Sequence, residues 1–510
     1  MVFMMEKTPS FYQLTLIGSA FCLAYVLVKI IQLYHLRQKQ IKAYKNFPGP
    51  PTHWLYGNIH LIPTQKELQY LLEWSQQYSY AFPIWFGSFF SAVIVAHPEY
   101  AKTLFARGDP KPEFIYASLI PWIGNGLLVL ADTKWHQHRR LLTPAFHYNI
   151  LKPYVALIAD STKVMLDKWE KLIAKEPTKS LEMFDHVSLM TLDSIMKCAF
   201  SQKSNCQTDR DLDYYVQAVS DLTLLSFRRI TSTILLSDFL YSCTPSGKKF
   251  NQACKLAHHH TEKVIEERKK SLHNERELEK IQKKRHLDFL DILLCAKYED
   301  GTGLSDEDLH AEVDTFMFAG HDTTAAGFSW LLYIMAKNPE HQQKCREEIK
   351  DLLGDREDIQ WDDLGKMTYC TMCIKESLRI YSPVPVVFRK LSKPITFFDG
   401  RTLPEDIIVA VDIYSLHKNP SIWPEPLEFD PMRFSSENAS ERHSHAFIPF
   451  AAGSRNCIGQ QFAMNELKIA LALTLLRFEL MPDPEKTPIP LSQVVLRSEN
   501  GIYLILKKLN

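Results

Sequence analysis

The chain reads Phe450-Ala-Ala-Gly453-Ser-Arg455-Asn-Cys457-Ile-Gly459 near the end of its 510 residues, and this loop constrains the fold more than any other stretch. Cys457 lies between two glycines, and an apolar run typical of a helix begins just after it. We therefore expect its sulfur to face backbone N–H groups and the positive end of a helix dipole. Such surroundings favour a thiolate. The usual alternative is a cysteine that only packs in the core, because free cysteine is among the most buried residue types.

A hydrogen-bonded thiolate is well suited to bind haem iron, since the axial ligand and the hydrogen bonds around it set the reactivity of the metal. The spacing F-x-x-G-x-R-x-C-x-G, carried by Phe450, Gly453, Arg455, Cys457 and Gly459, resembles the haem-binding loop of the cytochromes P450. The resemblance implies haem b, with Cys457 as the axial ligand of the iron and Phe450 and Arg455 as residues that contact the cofactor. It also implies the fold of that family, which is mainly α with small β-sheets and forms a single haem-centred catalytic domain.

Two further stretches fit a haem and its two propionates. The sequence Trp135-His-Gln-His-Arg139 places Trp135 and Arg139 on one face of a helix, where an indole N–H and a guanidinium can reach the same anion. This W-x-x-x-R pattern resembles the propionate-binding helix of the family. The resemblance implies a similar role for Arg389, which follows Ser382-Pro-Val-Pro-Val-Val-Phe388.

A long helix is predicted between residues 305 and 338. The stretch Ser305-Asp-Glu-Asp308 is similar to a capping box, and Asn338-Pro339 ends the helical pattern. A helix of about 32 residues runs roughly 48 Å, enough to cross a domain. Its middle reads Ala319-Gly-His-Asp322-Thr323-Thr324, whose polar residues lower helix propensity. These residues resemble A-G-x-D-T-T of the cytochromes P450, which implies that Asp322 and Thr323 help to protonate the dioxygen bound by haem.

A structural cluster is predicted from two charged stretches. Glu376-Ser-Leu-Arg379 places opposite charges at i and i+3 of one helix, which is ordinarily a solvated pair. Phe429-Asp-Pro-Met-Arg433-Phe434 adds a second arginine. Together they resemble the buried Glu-Arg-Arg cluster of the family, so Glu376, Arg379 and Arg433 are assigned to structure and not to catalysis.

The N-terminal region is predicted to anchor the chain in a membrane. Residues 8–28 contain no charged side chain and are long enough to span a bilayer. Basic residues follow, so the positive-inside rule places the rest of the chain in the cytosol. We predict a transmembrane signal anchor at residues 1–31, a basic and proline-rich linker at 32–52 and the catalytic domain at 53–510. A cleaved signal peptide is the alternative, which the long apolar run and the absence of a positive n-region disfavour. Resemblance to microsomal members implies a single-pass protein of the endoplasmic reticulum membrane.

The overall composition excludes one class of partner. The 59 basic and 59 acidic residues give a formal net charge of zero, which argues against a nucleic-acid partner. The ten cysteines lack the paired spacing of a disulfide framework or a zinc site. Three consecutive histidines, His258 to His260, are predicted to lie on a solvated helix face, because successive side chains on a helix point in different directions.

Longer strings indicate a branch of the family. Four of them look like family 4, closest to subfamily B: Phe47-Pro-Gly-Pro-Pro-Thr-His-Trp54, Arg285-His-Leu-Asp-Phe-Leu-Asp-Ile-Leu-Leu294, Glu312-Val-Asp-Thr-Phe-Met-Phe-Ala-Gly-His321 and Trp361-Asp-Asp-Leu-Gly-Lys-Met-Thr-Tyr369. Members of this family hydroxylate fatty acids, and subfamily B members also act on small xenobiotics. Many of them carry a glutamate that forms an ester with a haem methyl group, where this chain has Ala319. Since alanine has no carboxylate, we expect a haem held only by Cys457 and noncovalent contacts.

The resemblance implies a membrane-bound monooxygenase that inserts one oxygen atom from O2 into unactivated C–H bonds of fatty acids, at or near the chain end. Electrons would come from NADPH through NADPH-cytochrome P450 reductase, with cytochrome b5 as an additional partner. A docking surface for the reductase is predicted at Lys134, Arg139, Arg140 and Lys468. Two alternatives remain open: a reductase-independent haem-thiolate peroxide isomerase, and a membrane-tethered haem or lipid binder without turnover. The intact Asp322-Thr323 pair argues against the isomerase.

Overall fold

The apolar run near the N-terminus forms one continuous helix in this computed structural model, which describes residues 11–202, 204–209, 212–232, 235, 237–272, 288–295 and 301–509. Helix α1 spans Phe11–Ala43. Its stretch Gly18–Ala43 contains an apolar window long enough to cross a membrane, and none of that window is buried against the rest of the described chain. The helix continues beyond the apolar run, so residues 32–43 of the predicted linker are helical. Residues 1–10 of the predicted anchor and 285–287 of the string at 285–294 lie outside the described residues.

Together with α1, the remaining helices contain just over half of the residues of the chain. In the first half they are α2 Glu67–Gln77, α3 Pro98–Phe105, α4 Glu113–Tyr116, α5 Ile120–Ile123, α6 Asp132–Leu142, α7 Tyr148–Lys175, α8 Met183–Ala199, α9 Cys206–Asp209, α10 Asp213–Ile230, α11 Asp238–Cys243 and α12 Pro245–Leu272. In the second half they are α13 Phe289–Cys295, α14 Asp306–Lys337, α15 Pro339–Leu353, α16 Trp361–Leu364, α17 Thr368–Ile380, α18 Ile413–Leu416, α19 Ser436–Ser440 and α20 Gln460–Arg477.

Helix α14 confirms the long helix predicted from the sequence. The Ser305 side chain caps its N-terminus by accepting a hydrogen bond from the Asp308 N–H at 3.1 Å. The Asp308 carboxylate accepts a hydrogen bond from Lys134 Nζ at 2.6 Å and so ties α6 to the start of α14. The helix ends before Pro339, which opens α15.

The β structure consists of small sheets. A four-stranded sheet has the order β1-β2-β7-β4, with β2 and β7 parallel and the other two pairs antiparallel. A three-stranded antiparallel sheet has the order β3-β11-β8, and two further sheets pair β9 with β10 and β5 with β6. The strands are β1 Ala81–Phe86, β2 Phe90–Val95, β3 Leu181–Glu182, β4 Val386–Lys390, β5 Ile395–Thr396, β6 Thr402–Leu403, β7 Ile408–Asp412, β8 Phe478–Pro482, β9 Pro490–Leu491, β10 Arg497–Ser498 and β11 Tyr503–Lys508.

Two local predictions are wrong. The apolar run from Val494 to Leu496 predicts a short strand, which does not form: the Leu496 N–H donates to Pro383 O at 2.8 Å instead of joining a ladder. The three histidines of α12 do not share a solvated face, since His260 is buried whereas His259 is exposed. A helix turns by about 100° per residue, so one of three consecutive side chains meets the core.

The largest apolar core surrounds α14. This helix packs along α8, α12, α17 and α20, and their buried apolar side chains belong to one cluster. The loop that contains Cys457 leads directly into α20. The fold, which is mainly α with small sheets, therefore brings the cysteine loop and the polar middle of α14 to neighbouring helices.

Candidate active site

The cysteine loop is closed by its own backbone. The Cys457 N–H donates to Phe450 O at 2.9 Å, and the Asn456 N–H donates to Gly453 O at 3.2 Å. Gly453 has a φ of +74°, and a Cβ at this position would lie 2.1 Å from Phe105 O. Only glycine is compatible with both the φ angle and this approach. The pattern of glycines is thus explained by the path of the loop.

The thiol of Cys457 lies in a concave space. The residue is exposed, although burial raises the pKa of its thiol, so its sulfur is both reachable and surrounded by protein. The Gly459 backbone N–H and the positive charge of Arg139 act in the opposite direction and favour the thiolate. A hydrogen bond from the backbone and a nearby positive charge both stabilise negative charge on a sulfur that binds a metal.

One short strip of α14 is accessible. From residue 311 to residue 336 every residue is buried except Ala319, Gly320 and Thr323. Ala319 and Thr323 are four residues apart, so they share one face of the helix. The Thr323 hydroxyl donates to Ala319 O at 2.8 Å, which satisfies its proton and leaves its oxygen lone pairs directed away from the helix.

Asp322 points away from this strip. It is buried, and its Oδ1 accepts a hydrogen bond from Arg497 Nη2 at 2.5 Å. The Arg497 guanidinium also lies 3.7 Å from the centre of the Phe184 ring. Sequence reasoning missed Arg497, because it lies 175 residues from its partner on the short strand β10.

Three cations form a cluster beside the site. Burial, Arg389 and Arg455 together hold the pKa of Lys111 well below its ordinary value. Burial and Arg389 lower the pKa of Arg455 to about 10. Cations that destabilise one another in this way are suited to receive anionic groups. Lys111 was not predicted, since it belongs to no recognisable motif.

Trp135 and Arg139 diverge although they lie on one helix. The Arg455 guanidinium stacks 4.2 Å from the centre of the Trp135 ring, which joins Trp135 to the cation cluster. The Arg139 guanidinium instead donates to Asn456 O and Asn456 Oδ1, both at 2.9 Å. The structure thus places Arg139 at the cysteine loop.

The Glu376, Arg379 and Arg433 side chains lie together. Arg379 is fully buried and donates through Nε and Nη2 to the two carboxylate oxygens of Glu376, each at 2.7 Å. Arg433 Nε lies 3.3 Å from Glu376 Oε1. Arg379 also donates to the backbone oxygens of His417 and Pro426. The cluster therefore fastens α17 to the segment that precedes the cysteine loop.

A second buried acid holds the loop between α5 and α6 against α14. Glu312 accepts from His138 Nδ1 at 2.7 Å and from the Leu127 N–H at 3.1 Å. A Cβ on Gly126 would lie 2.6 Å from Ala311 O, so this loop approaches the helix closely. The contact fixes the wall of the site next to Ala319.

These features fit a haem. A reachable cysteine sulfur with an N–H donor supplies the axial ligand, a strip of small residues leaves room for a flat group, and the cation cluster matches two propionates. Within the described residues, no group of three or more His, Cys, Asp or Glu side chains could hold a metal ion by itself. Cys457 is therefore the candidate ligand for the haem iron.

Known proteins agree with this interpretation over almost the whole chain. Residues 47–506 match the family model of Cytochrome P450. The chain is 54% identical to Cytochrome P450 4B1 of Rattus norvegicus, with 98% of both chains covered. It is 55% identical to Cytochrome P450 4A11 of Homo sapiens, with 96% of this chain and 94% of that protein covered. It is also 55% identical to Taurochenodeoxycholic 6 alpha-hydroxylase of Sus scrofa, with 97% of both chains covered. Sequence, fold and relatives thus agree that this chain belongs to the cytochrome P450 family and is a P450 monooxygenase.

Proposed function

We propose that this enzyme is anchored in the endoplasmic reticulum membrane and hydroxylates fatty acids at or near the chain end, and small xenobiotics as well. The observation that carries the proposal is the accessible strip of Ala319, Gly320 and Thr323 in an otherwise buried helix. The small side chain of Ala319, on the same face as Thr323, leaves room for a slender chain end beside the Thr323 hydroxyl. The relatives named as P450 4A and 4B support a substrate of this class.

The residues of the site have three roles, which are ligation of the haem iron, binding of the haem propionates and transfer of protons. Cys457 would hold the iron of haem b, and Arg389, Arg455, Lys111 and Trp135 would bind the propionates. Haem bound in this way would supply the activation of O2 for C–H hydroxylation. Thr323 presents its hydroxyl oxygen on the accessible strip, and Asp322, the preceding residue of α14, passes protons toward it. The anion of Asp322 is held in place by Arg497.

Ala319 supports a haem without an ester bond. Its methyl group cannot form the bond that a glutamate would form, so acid denaturation should release unmodified haem from the protein. Ala319→Glu places a carboxylate on the same accessible strip and should retain part of the haem covalently. Mass spectrometry of the acid-treated protein distinguishes these states, and haem that stays attached to the unaltered chain would refute the noncovalent assignment.

Electrons are proposed to come from NADPH through NADPH-cytochrome P450 reductase, with cytochrome b5 as an additional donor. Of the cations expected at the docking surface, Lys134 is paired with Asp308, and Lys468 Nζ donates to Leu364 O at 2.8 Å. Arg139 is engaged by Asn456. Because these three cations already have partners within the protein, we propose that the reductase docks on the side of the cysteine loop as a whole, and not on these three charges individually.

The test is product analysis with purified protein, reductase, NADPH and a panel of medium-chain and long-chain fatty acids. Terminal and penultimate alcohols are expected, and their ratio measures how tightly the site holds the chain end. Cys457→His serves as the control, because it removes the thiolate without removing a metal ligand. No product from protein whose reduced carbon monoxide spectrum has the thiolate band would refute the fatty-acid proposal. Product formed without NADPH from a lipid hydroperoxide would favour the isomerase.

A further inference from the structure

A row of titratable side chains lies behind the accessible strip of α14. His321 and Asp322 precede Thr323 in sequence, and both are buried, whereas Thr323 is not. His321 Nδ1 donates to Met317 O at 2.7 Å, which leaves Nε2 as the atom that can exchange a proton. In the interior, α14 therefore presents an imidazole next to the acid.

Tyr215 of α10 connects this imidazole to α12. The centre of its ring lies 5.7 Å from that of His321 and 4.8 Å from that of His260. Burial raises the pKa of Tyr215 well above its ordinary value, and the charges of Asp314 and Asp322 act in the same direction. Tyr215 thus stands between a histidine of α12 and the residues beside Thr323.

The outer end of the row reaches solvent. His259 is exposed and His258 is half-buried, whereas His260 is buried. His258 Nε2 lies 3.8 Å from the carboxylate of Asp314, which also accepts from the Thr261 hydroxyl at 2.6 Å. On α12, the buried His260 therefore follows directly after two histidines that are accessible to solvent.

Several polar atoms along the row are buried without a hydrogen-bond partner among the described residues. They are His260 Nδ1 and Nε2, His321 Nε2, Asp322 Oδ2, and Arg497 Nε and Nη1. Native proteins satisfy such groups with ordered water, which needs several polar neighbours of this kind. Burial lowers the pKa of His321 and lowers that of His260 to about 4. Both imidazoles are therefore neutral near pH 7 and can both donate and accept.

We propose that the row His260, Tyr215 and His321, with ordered water between its members, carries protons from the surface of α12 to Asp322. This inference rests on the proposed function, because hydroxylation with O2 consumes two electrons and two protons per turnover and releases one water. Each member of the row gives a proton to its inner neighbour and takes one from its outer neighbour, so none changes its charge over a turnover. Asp322 is the last member before Thr323.

The test compares Tyr215→Phe and His321→Asn with a matched variant, Tyr333→Phe. Asn keeps the hydrogen bond to Met317 O and removes the atom at Nε2. Tyr333 lies on the same helix but outside the row. We expect product formed per NADPH to fall about tenfold in the first two variants, with more peroxide released and a larger solvent deuterium isotope effect. Hydroxylation driven by hydrogen peroxide, which brings its own protons and electrons, should stay within about twofold of the unaltered enzyme.

Three results separate the explanations. Unchanged product per NADPH and unchanged isotope effect in both variants would overturn the proposal. Equal losses with NADPH and with peroxide would overturn it as well, since they indicate a purely structural role. If the unaltered enzyme makes no product from either oxidant, the proposed substrate class is wrong. A crystal structure then tests the proposed proton route directly. An ordered water that bridges His321 Nε2 and Asp322 Oδ2 would support the route, and the absence of water between these two atoms would overturn it.

Discussion

Thr323 is the residue whose surroundings most directly predict a phenotype. Its hydroxyl proton is committed to Ala319 O, and its oxygen borders the accessible strip. Thr323→Ala should lower product formation about tenfold or more while NADPH is still consumed and peroxide is released. Thr324→Ala is the matched control, because the Thr324 hydroxyl donates to Gly320 O at 3.1 Å on the buried side. Product and peroxide analysis would contradict this view if both variants behaved alike.

Glu466 predicts a pH effect on stability. It is buried on α20, and burial raises the pKa of its carboxyl to about 8, against a smaller opposing effect of the Ser194 hydroxyl. The unfolded chain releases this proton near pH 4.3, so between that pH and about 8 only the folded state keeps it. The free energy of unfolding should therefore decrease as the pH rises through this window.

Glu466→Gln should remove this dependence, since a neutral amide has no proton to lose. Thermal unfolding at about pH 6 and about pH 8 measures this pH dependence of stability. At the higher pH we expect Glu466→Gln to be more stable than the unaltered protein. Glu437→Gln, at an exposed position, is the control. Parallel pH profiles for the Glu466 variant and the unaltered protein would contradict the assignment.

Among the elements, α17 depends most on one buried ion pair. Arg379 holds Glu376 and three backbone oxygens, so it links the helix to the segment before the cysteine loop. Glu376→Gln leaves a buried guanidinium without its anion and should cost about 3–5 kcal/mol. The expected result is a low fraction of purified chains that contain haem, measured by absorbance per protein. Glu347→Gln, on the exposed face of α15, should retain haem.

Elements with local signals could be predicted from the sequence, and their long-range contacts could not. Helix α14 was predictable because Ser305 and Pro339 mark its ends, and β1 was predictable because four of its six residues are aromatic or β-branched. The cysteine loop was recognisable from five residues within one turn. The partners Lys111 and Arg497 were not, because nothing in their neighbourhoods records a contact with residues far away in sequence. Burial of His260 likewise depends on which face α12 turns toward α10.

At the scale of the whole molecule, α1 serves two regions. Its N-terminal part is exposed and apolar, whereas Arg37 Nη1 donates to Trp54 O at 2.7 Å and to Ser88 O at 3.0 Å. Tyr44, just after the helix, is buried and shares a hydrogen bond of 2.8 Å with Ser91. The same segment therefore carries the apolar stretch that could cross a membrane and also the residues that bond to the rest of the described chain.

Two truncations separate these roles. A chain that starts at Gln32 should leave carbonate-washed membranes and keep its haem spectrum. A chain that starts at Pro48 should also be released but be about 2–4 kcal/mol less stable, because it loses the contacts of Arg37 and Tyr44. Partition between the washed membranes and the supernatant measures release, and thermal unfolding measures the loss of stability. Retention of the longer chain in washed membranes would place the anchor elsewhere.

The continuity of α1 from Phe11 to Ala43 also constrains the orientation of the catalytic part of the chain relative to its N-terminal helix. A helix without a break transmits rotation, and its C-terminal end is bonded to the catalytic domain. If this helix anchors the enzyme as proposed, the catalytic part of the chain follows the orientation of its stem and keeps one flank toward the lipid. A hydrophobic molecule diffusing within the bilayer would meet the same side of the enzyme on every encounter, which turns a search in three dimensions into one along a surface.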